Sequence, residues 1–223
     1  MNKPSSPRQA FTLLELLIVI AIIAILAGAA MPVYGVVMRN ARMNAAMQNA
    51  RQIGLALRIY SNDHDGTYPQ KRNSYDEEIR TSNDAFRSLI PAYLDNEKVF
   101  TVTGSKTGAT ADNKMDEAPQ MLAAGENHWA YVSGLNATSN SNWPLIVDHT
   151  DGGATYNRTE NTLGGTWLAT KTVVIFTDSS ARIVPLLGGG EKRYLPRSDD
   201  KAKNALLVEE YMGDDVKLLE PAT

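Results

Sequence analysis

The 223-residue sequence contains no cysteine and only three histidines. Without cysteine the protein forms no disulfide and has no thiolate to act as a nucleophile or metal ligand. His64, His128 and His149 lie far apart without metal-ligand spacing, and no Gly-x-Ser-x-Gly or P-loop pattern is present. The absence of these linear motifs favours a protein that is not an enzyme. A Ser-His-Asp set assembles in space rather than along the chain, so the sequence leaves that one arrangement open.

The sequence also lacks an excess of positive charge. Its formal net charge is −3 at pH 7, which argues against a nucleic-acid partner. No Asp or Glu occurs between Glu15 and Asp63, although this stretch contains several arginines. Three interpretations of Arg39, Arg42 and the later arginines stay open: a solvated helix face, contact with anionic lipid headgroups, or ion pairs with an acidic patch on another subunit.

A long apolar run near the N-terminus carries a single charge. Residues 8–32 read RQAFTLLELLIVIAIIAILAGAAMP, and Glu15 is the charge inside the run. A carboxylate costs roughly 2.5–3.5 kcal/mol at the centre of a membrane helix, so such residues are usually functional and paired. A cut before Phe11 would create an α-amino group, which ordinarily has a pKa of about 7.7–8.0, one helical turn from Glu15. We therefore expect Glu15 to neutralise the amine of a neighbouring copy.

The segment AFTLLE, residues 10–15, resembles the processing site of type IV prepilins and type II secretion pseudopilins. The resemblance extends over about residues 8–60. It implies that residues 1–10 are a leader, and that prepilin peptidase cuts between Ala10 and Phe11 and methylates Phe11. The residue before the cut is usually Gly in that family and is Ala10 here.

The resemblance implies a non-enzymatic filament subunit. Many adhesive pilins have a C-terminal disulfide, so the absence of cysteine favours a major, G-type pseudopilin of a type II secretion system. Its implied partners are further subunits in a homo- or hetero-polymer, prepilin peptidase, the inner-membrane assembly platform and minor pseudopilins. The implied location is the bacterial inner membrane, crossed once with a periplasmic C-terminal domain, and then a periplasmic pseudopilus. Losing Lys3 and Arg8 with the leader lowers the net charge from −3 by two, to −5.

Other interpretations stay open. Residues 27–30, AGAA, are also a small-residue cut site of an ordinary secretory signal, and the apolar run could be an unprocessed anchor. The functional alternatives are a type IV pilus subunit for adhesion, motility or DNA uptake, and a membrane-anchored binding domain that does not polymerise.

The predicted fold class is α+β and pilin-like, with one long helix from about residue 12 to 62 packed on a small antiparallel sheet. Its first part, 11–32, is the membrane or filament-core segment, and Pro32 marks its end or a kink. Its second part, 33–62, is amphipathic, with an apolar face at three- and four-residue spacing. That face comprises Val36, Met43, Met47, Ala50, Ile53, Leu57 and Tyr60.

Residues 63–187 are predicted to form the globular domain, and 188–223 a charged tail. β-branched and aromatic runs predict a sheet of three or four strands, with a final hairpin around Asp178-Ser179. The predicted strands are 129–132, 145–147, 172–177 and 181–184. Short helices are predicted at 84–94 and 205–212.

Calcium is the one candidate cofactor, because the resemblance implies one calcium ion in the C-terminal loop of major pseudopilins. Asp148, Asp151 and Asp178 offer carboxylate oxygens, the ligand type that calcium prefers. The alternative is that these residues only stabilise turns and caps.

Overall fold

The computed structural model of the protein describes residues 12–223 except 109, 116, 118 and 119, and it describes residues 30–33 by their backbone alone. The chain divides into two compact units, Met1–Ala41 and Arg42–Thr223. The helices are α1 (Leu13–Asp63), α2 (Ser82–Arg87), the 3₁₀ helix η1 (Glu97–Phe100) and α3 (Val208–Met212). The strands are β1 (Trp129–Ser133), β2 (Pro144–Asp148), β3 (Tyr156–Asn157), β4 (Lys171–Phe176), β5 (Ala181–Pro185), β6 (Lys192–Arg193) and β7 (Lys217–Leu219).

The predicted α+β, pilin-like class is confirmed, because a long N-terminal helix precedes a small antiparallel sheet. The predicted helix 12–62 corresponds to Leu13–Asp63. It is followed by Gly66, whose φ of 78° suits glycine and whose N–H bonds to the Ser61 carbonyl at 2.7 Å.

A five-stranded antiparallel sheet forms the centre of the second unit, in the order β5-β4-β2-β1-β7. The sequence predicted four of these strands and the β4–β5 hairpin. β4 has five consecutive buried residues after the exposed Lys171, which explains its strong β-branched signal. A separate two-stranded sheet pairs β3 with β6.

The fifth strand corrects the predicted boundary between domain and tail. β7 comes from the segment 188–223 and pairs with β1, with Leu218 opposite Val132. Val208 and Val216 of the same segment are buried in the main core. β7 is only three residues long, which is too short for a recognisable periodic pattern. Its position is determined by the open edge of β1.

The second part of α1 packs one face into the main core. The face contains Met43, Ala46, Ala50, Ile53, Ala56, Leu57 and Tyr60, each at most 7% exposed. Of the other predicted face residues, Met47 is half-buried and Val36 is exposed. At Gly54 the helix lies so close to the sheet that an added Cβ would be 2.8 Å from Ile175 Cγ2.

The short helices are shorter than predicted. α2 begins after Thr81, whose side chain caps the Asp84 N–H while Asp84 bonds back to the Thr81 N–H, and it ends at Arg87 rather than near 94. α3 is confined to Val208–Met212 within the predicted 205–212. These differences lie at element ends, which local patterns define least well.

Candidate functional site

The first helix begins with a reciprocal capping box. The Glu15 carboxylate accepts hydrogen bonds from the Thr12 N–H and the Thr12 hydroxyl, each at 2.8 Å, through Oε2. The Thr12 hydroxyl oxygen in turn accepts the Glu15 N–H at 3.2 Å. Thr12 and Glu15 therefore stabilise the helix start together, with the negative charge at the positive end of the helix dipole.

The apolar side chains that follow the capping box are exposed. Leu13 is 88% exposed, Ile25 71% and Leu17 60%, and the large apolar residues between Leu13 and Leu26 are all at least 45% exposed. Contiguous apolar surface of this extent marks a site of contact with a membrane or with other protein chains.

In the described part of the chain, no single helix passes a length-and-hydropathy test for a membrane span. The stretches Leu13–Ala29 and Tyr34–Asp63, with a bend between them, are together long and apolar enough for a span. Residues 30–33 separate the two stretches and contain Pro32, for which only the backbone is described. The role predicted for Pro32 stays a prediction.

The predicted processing residues Ala10 and Phe11 lie outside the described residues. Glu15 is described, and the structure adds Thr12 as its hydrogen-bond partner. The signal for this partner is visible in the sequence, because Thr-x-x-Glu ahead of an apolar run is the capping-box pattern. The resemblance to a processing motif covers the same residues and does not by itself indicate the cap.

Asp148 lies inside the globular unit and is 1% exposed. Its Oδ1 accepts from His128 Nε2 at 2.7 Å, and its Oδ2 accepts from the Thr172 hydroxyl at 2.8 Å and the Val173 N–H at 2.7 Å. Burial alone would raise the pKa of Asp148, but hydrogen bonds, led by the one from His128, outweigh it and lower the pKa below its ordinary value.

The other two predicted calcium ligands have separate partners. Asp151 Oδ2 forms an ion pair with Lys192 Nζ at 2.6 Å, and its Oδ1 accepts the Gly153 N–H at 2.9 Å. Asp178 Oδ1 accepts the Ser180 N–H at 2.8 Å in the β4–β5 turn. The three aspartates are not among the described acidic groups whose oxygens converge, and calcium binding by them stays a prediction.

A buried Ser-His-Asp chain does form in space. Ser105 Oγ is 2.7 Å from His128 Nδ1, and His128 Nε2 is 2.7 Å from Asp148 Oδ1. Ser105 Oγ also accepts the N–H groups of Thr107 and Gly108 at 3.2 and 3.0 Å. A hydroxyl that accepts twice directs its own proton to Nδ1, so His128 donates through Nε2 to the carboxylate.

These three hydrogen-bonded residues are of the types found in a catalytic triad, but they are not accessible to a substrate. His128 and Asp148 are at most 1% exposed and Ser105 is 8% exposed, whereas a nucleophile must contact its substrate. Their hydrogen bonds connect the loop around Ser105 to strand β2. A second histidine packs edge-on against the first, with the rings of His128 and His149 5.0 Å apart, and burial lowers the pKa of His149 to about 3.

A convergent acidic cluster lies elsewhere in the globular unit. Glu97, Asp112 and Glu126 each place one carboxylate oxygen within 4.8 Å of the other two. These residues are the described candidates for holding a metal ion. The sequence did not predict them, because they are 14 and 15 positions apart and share no local motif.

Comparison with known proteins gives a match for the N-terminal segment. Residues 5–31 match the family model described as the prokaryotic N-terminal methylation motif. The match supports a type IV prepilin-like protein, a class that is processed by prepilin peptidase, anchored through its N-terminal helix and assembled into filaments. Neither the curated proteins nor the solved structures contain a match to the chain.

Proposed function

We propose that this chain is a structural subunit of a type II secretion pseudopilus. Prepilin peptidase removes residues 1–10 and methylates Phe11, and the mature subunit waits in the inner membrane with its globular unit in the periplasm. The assembly platform then adds subunits to a helical fibre that drives folded cargo through the outer membrane. The subunit is mechanical and catalyses no reaction.

The observation that carries the proposal is the exposed apolar segment from Leu13 to Leu26, which lies within the methylation motif matched at residues 5–31. Each buried CH₂ contributes roughly 0.8 kcal/mol, so this surface strongly favours an apolar environment. A bilayer supplies that environment before assembly, and the same segments of neighbouring subunits supply it in the fibre.

Glu15 gives the segment its specificity. In the single chain its carboxylate is bonded to Thr12 at the helix start. An apolar fibre core would make an unpaired carboxylate costly. The new Phe11 amine of a neighbouring subunit carries the opposite charge and can neutralise it. Pairing the two fixes the axial register between subunits, because a shift along the helix separates the charges.

The choice of a pseudopilus over a pilus depends on the absence of cysteine. A long adhesive fibre is exposed to shear and often has a disulfide-closed C-terminal loop, whereas a short periplasmic fibre experiences less shear. The rivals remain a type IV pilus subunit and a membrane-anchored binding domain that stays monomeric.

Intact mass and N-terminal sequencing of protein recovered from membranes test the processing step. We expect a chain that begins at methylated Phe11. A chain that begins at Met1 would indicate an unprocessed anchor, and one that begins near Ala30 would indicate an ordinary secreted protein. Either result would remove the basis of the filament proposal.

Two substitutions at one position separate the charge of Glu15 from its capping role. Glu15→Ala loses both, whereas Glu15→Gln keeps a side chain that can complete the capping box with Thr12. We expect both variants to be processed and neither to form fibres when observed by electron microscopy. Fibre formation by Glu15→Gln at the wild-type level would contradict the charge pairing and assign Glu15 to capping.

Loss of the gene distinguishes the secretion system from a pilus. In a secretion mutant, folded cargo accumulates in the periplasm and complementation restores export. Normal export together with loss of long surface fibres would instead identify a pilus subunit.

A further inference from the structure

We propose that Glu97, at the start of η1, binds one calcium ion together with Asp112 and Glu126, which lie between η1 and β1. One oxygen of each carboxylate lies within 4.8 Å of an oxygen of the other two. Two oxygens bound to one calcium ion at 2.3–2.6 Å can be at most about 5 Å apart, so the three oxygens fit around a single ion.

Glu97 is the independent sign that a cation belongs here. It is 0% exposed, and its Oε2 has no hydrogen-bond partner in the described structure. A buried carboxylate with an unpaired oxygen is costly unless it is neutralised by a proton or a cation.

Backbone hydrogen bonds hold the three carboxylates together without neutralising them. Glu97 Oε1 accepts the Leu122 N–H at 2.7 Å. Glu126 accepts the Asp112 N–H at 3.0 Å through Oε1 and the Ala123 N–H at 2.7 Å through Oε2. These bonds tie the segment on both sides of the cluster, so the oxygens are positioned before an ion arrives.

The Glu97 N–H adds a further tie by donating to Asn113 Oδ1 at 2.9 Å. Asn113 has a φ of 62°, a left-handed conformation that asparagine tolerates better than most residues. The turn at Asn113 follows Asp112 directly, so it helps to present Asp112 to the other two carboxylates.

The charge of the cluster suits a divalent ion. Lys114 Nζ is 2.5 Å from Asp112 Oδ2, so three carboxylates and one ammonium leave two negative charges. Lys114 is 63% exposed and can leave Asp112 when an ion binds. Calcium accepts six to eight oxygens in flexible geometry, and backbone carbonyls and water supply the rest, whereas magnesium requires near-octahedral geometry at 2.0–2.1 Å.

Thermal unfolding of the full-length protein in detergent, first with a chelator and then with calcium, tests the site. Extracellular calcium modules bind with Kd of about 10⁻⁴–10⁻³ M, so 10 mM calcium should raise the melting temperature by roughly 5 °C. Magnesium should raise it by less than half as much, and sodium at equal ionic strength should not raise it. An equal rise with sodium, or no rise with calcium, would overturn the proposal.

A matched pair of aspartates, the exposed Asp112 and the half-buried Asp200, separates the site from general charge effects. Asp112 and Asp200 each accept, through Oδ1, the N–H two residues ahead at 3.0 Å, and only Asp112 belongs to the cluster. We expect Asp112→Asn to weaken calcium binding at least tenfold and Asp200→Asn to leave it unchanged. Equal responses of the two variants would overturn the assignment.

Glu97→Gln tests the buried ligand and keeps an acceptor for the Leu122 N–H. It should melt no lower than the wild type in chelator, because the repulsion among carboxylates is reduced, and it should lose the calcium response. A retained response in both Glu97→Gln and Asp112→Asn would overturn the proposal. So would loss of the response in Asp151→Asn alone, which would locate the ion among the C-terminal aspartates.

Discussion

Leu17 and Leu57 are leucines of the same 51-residue helix, yet Leu17 is 60% exposed and Leu57 is 0% exposed. Leu57 belongs to a face that packs into the core of the second unit, and Leu17 belongs to a segment that is apolar around its whole circumference. A helix that is hydrophobic on every side needs an apolar environment from outside its own chain. The two parts of α1 therefore differ in what they need: the second packs into the fold of its own chain, and the first exposes an apolar surface that its own chain does not cover.

The glycines of α1 show the same division. Gly54 lies against Ile175, whereas an added Cβ at Gly28 would meet nothing within 4 Å. The small residue at position 54 is therefore required by packing inside the chain. If close approach also explains Gly28, it must involve another helix, since small residues allow membrane helices to come close.

The first prediction compares substitutions of the two leucines. Leu57→Ala should lower the free energy of unfolding by about 2–5 kcal/mol, because it leaves a cavity in the core. Leu17→Ala should change it by less than about 0.5 kcal/mol. Denaturant unfolding in detergent measures both, and tryptophan fluorescence reports the second unit, because Trp129, Trp143 and Trp167 all lie there. Equal losses would show that the apolar segment is part of the cooperative unit.

The second effect assigns pH sensitivity to the globular unit. Burial lowers the pKa of His149 to about 3, whereas an unfolded histidine has a pKa near about 6.5. As the pH falls below 6.5 the unfolded chain binds a proton that the folded chain does not, so stability decreases until the pH reaches the folded value. Between pH 7 and pH 4 this contributes a loss of about 3 kcal/mol.

Two acids, the buried Glu97 and the half-buried Glu220, act in the opposite direction. Burial raises the pKa of Glu97 and of Glu220, so the folded state of each takes up its proton first and gains stability as the pH falls. The effect of His149 is therefore measured as a difference between the wild type and His149→Asn, in unfolding curves at pH 7 and pH 4. The wild type should lose about 3 kcal/mol more than the variant, and parallel profiles would contradict the assignment.

The third effect compares Gly54 with Gly28. Gly54→Ala gains up to about 1 kcal/mol of helix propensity but forces a contact with the branched Ile175 side chain that costs about 1–3 kcal/mol. We expect a net loss of about 1 kcal/mol for Gly54→Ala and a change below about 0.5 kcal/mol for Gly28→Ala. Unfolding measured as for the leucines tests both, and a stabilised Gly54→Ala variant would show that Ile175 can move aside.

The sequence predicted the features that depend on residues close together in the chain and missed those that depend on distant ones. Ile53 and Leu57 were predicted because three- and four-residue spacing places them on one helix face, and β4 because its residues are β-branched and aromatic. β7 was missed because its place depends on the open edge of β1. No local pattern encodes such a long-range pairing.

The polar sites divide in the same way. Thr12 is predictable from the Thr-x-x-Glu pattern, since a capping box spans one helical turn. The Glu97 cluster and the Ser105–His128–Asp148 chain are not, because consecutive members lie 14 to 23 residues apart and meet only after the sheet and its loops have formed.

The smallest effect compares two helix starts with the same chemistry. Thr12 with Glu15 and Thr81 with Asp84 are both reciprocal capping boxes. Loss of a capping hydroxyl typically costs about 1 kcal/mol, and Thr81→Ala should show that loss in unfolding, because α2 packs into the core through Phe86. Thr12→Ala should change the unfolding free energy by less than about 0.5 kcal/mol, because its helix end lies in the other unit.

The expected contrast follows from position and not from hydrogen-bond strength, since the two boxes satisfy the same kinds of groups. Its measurement is denaturant unfolding of both single variants and of the double variant, whose effect should equal that of Thr81→Ala alone. If Thr12→Ala instead costs as much as Thr81→Ala, the N-terminal helix end unfolds together with the globular unit. The exposed apolar segment would then contribute to the stability of the fold as well as to assembly. The two parts of α1 would differ in what they contact but would unfold together.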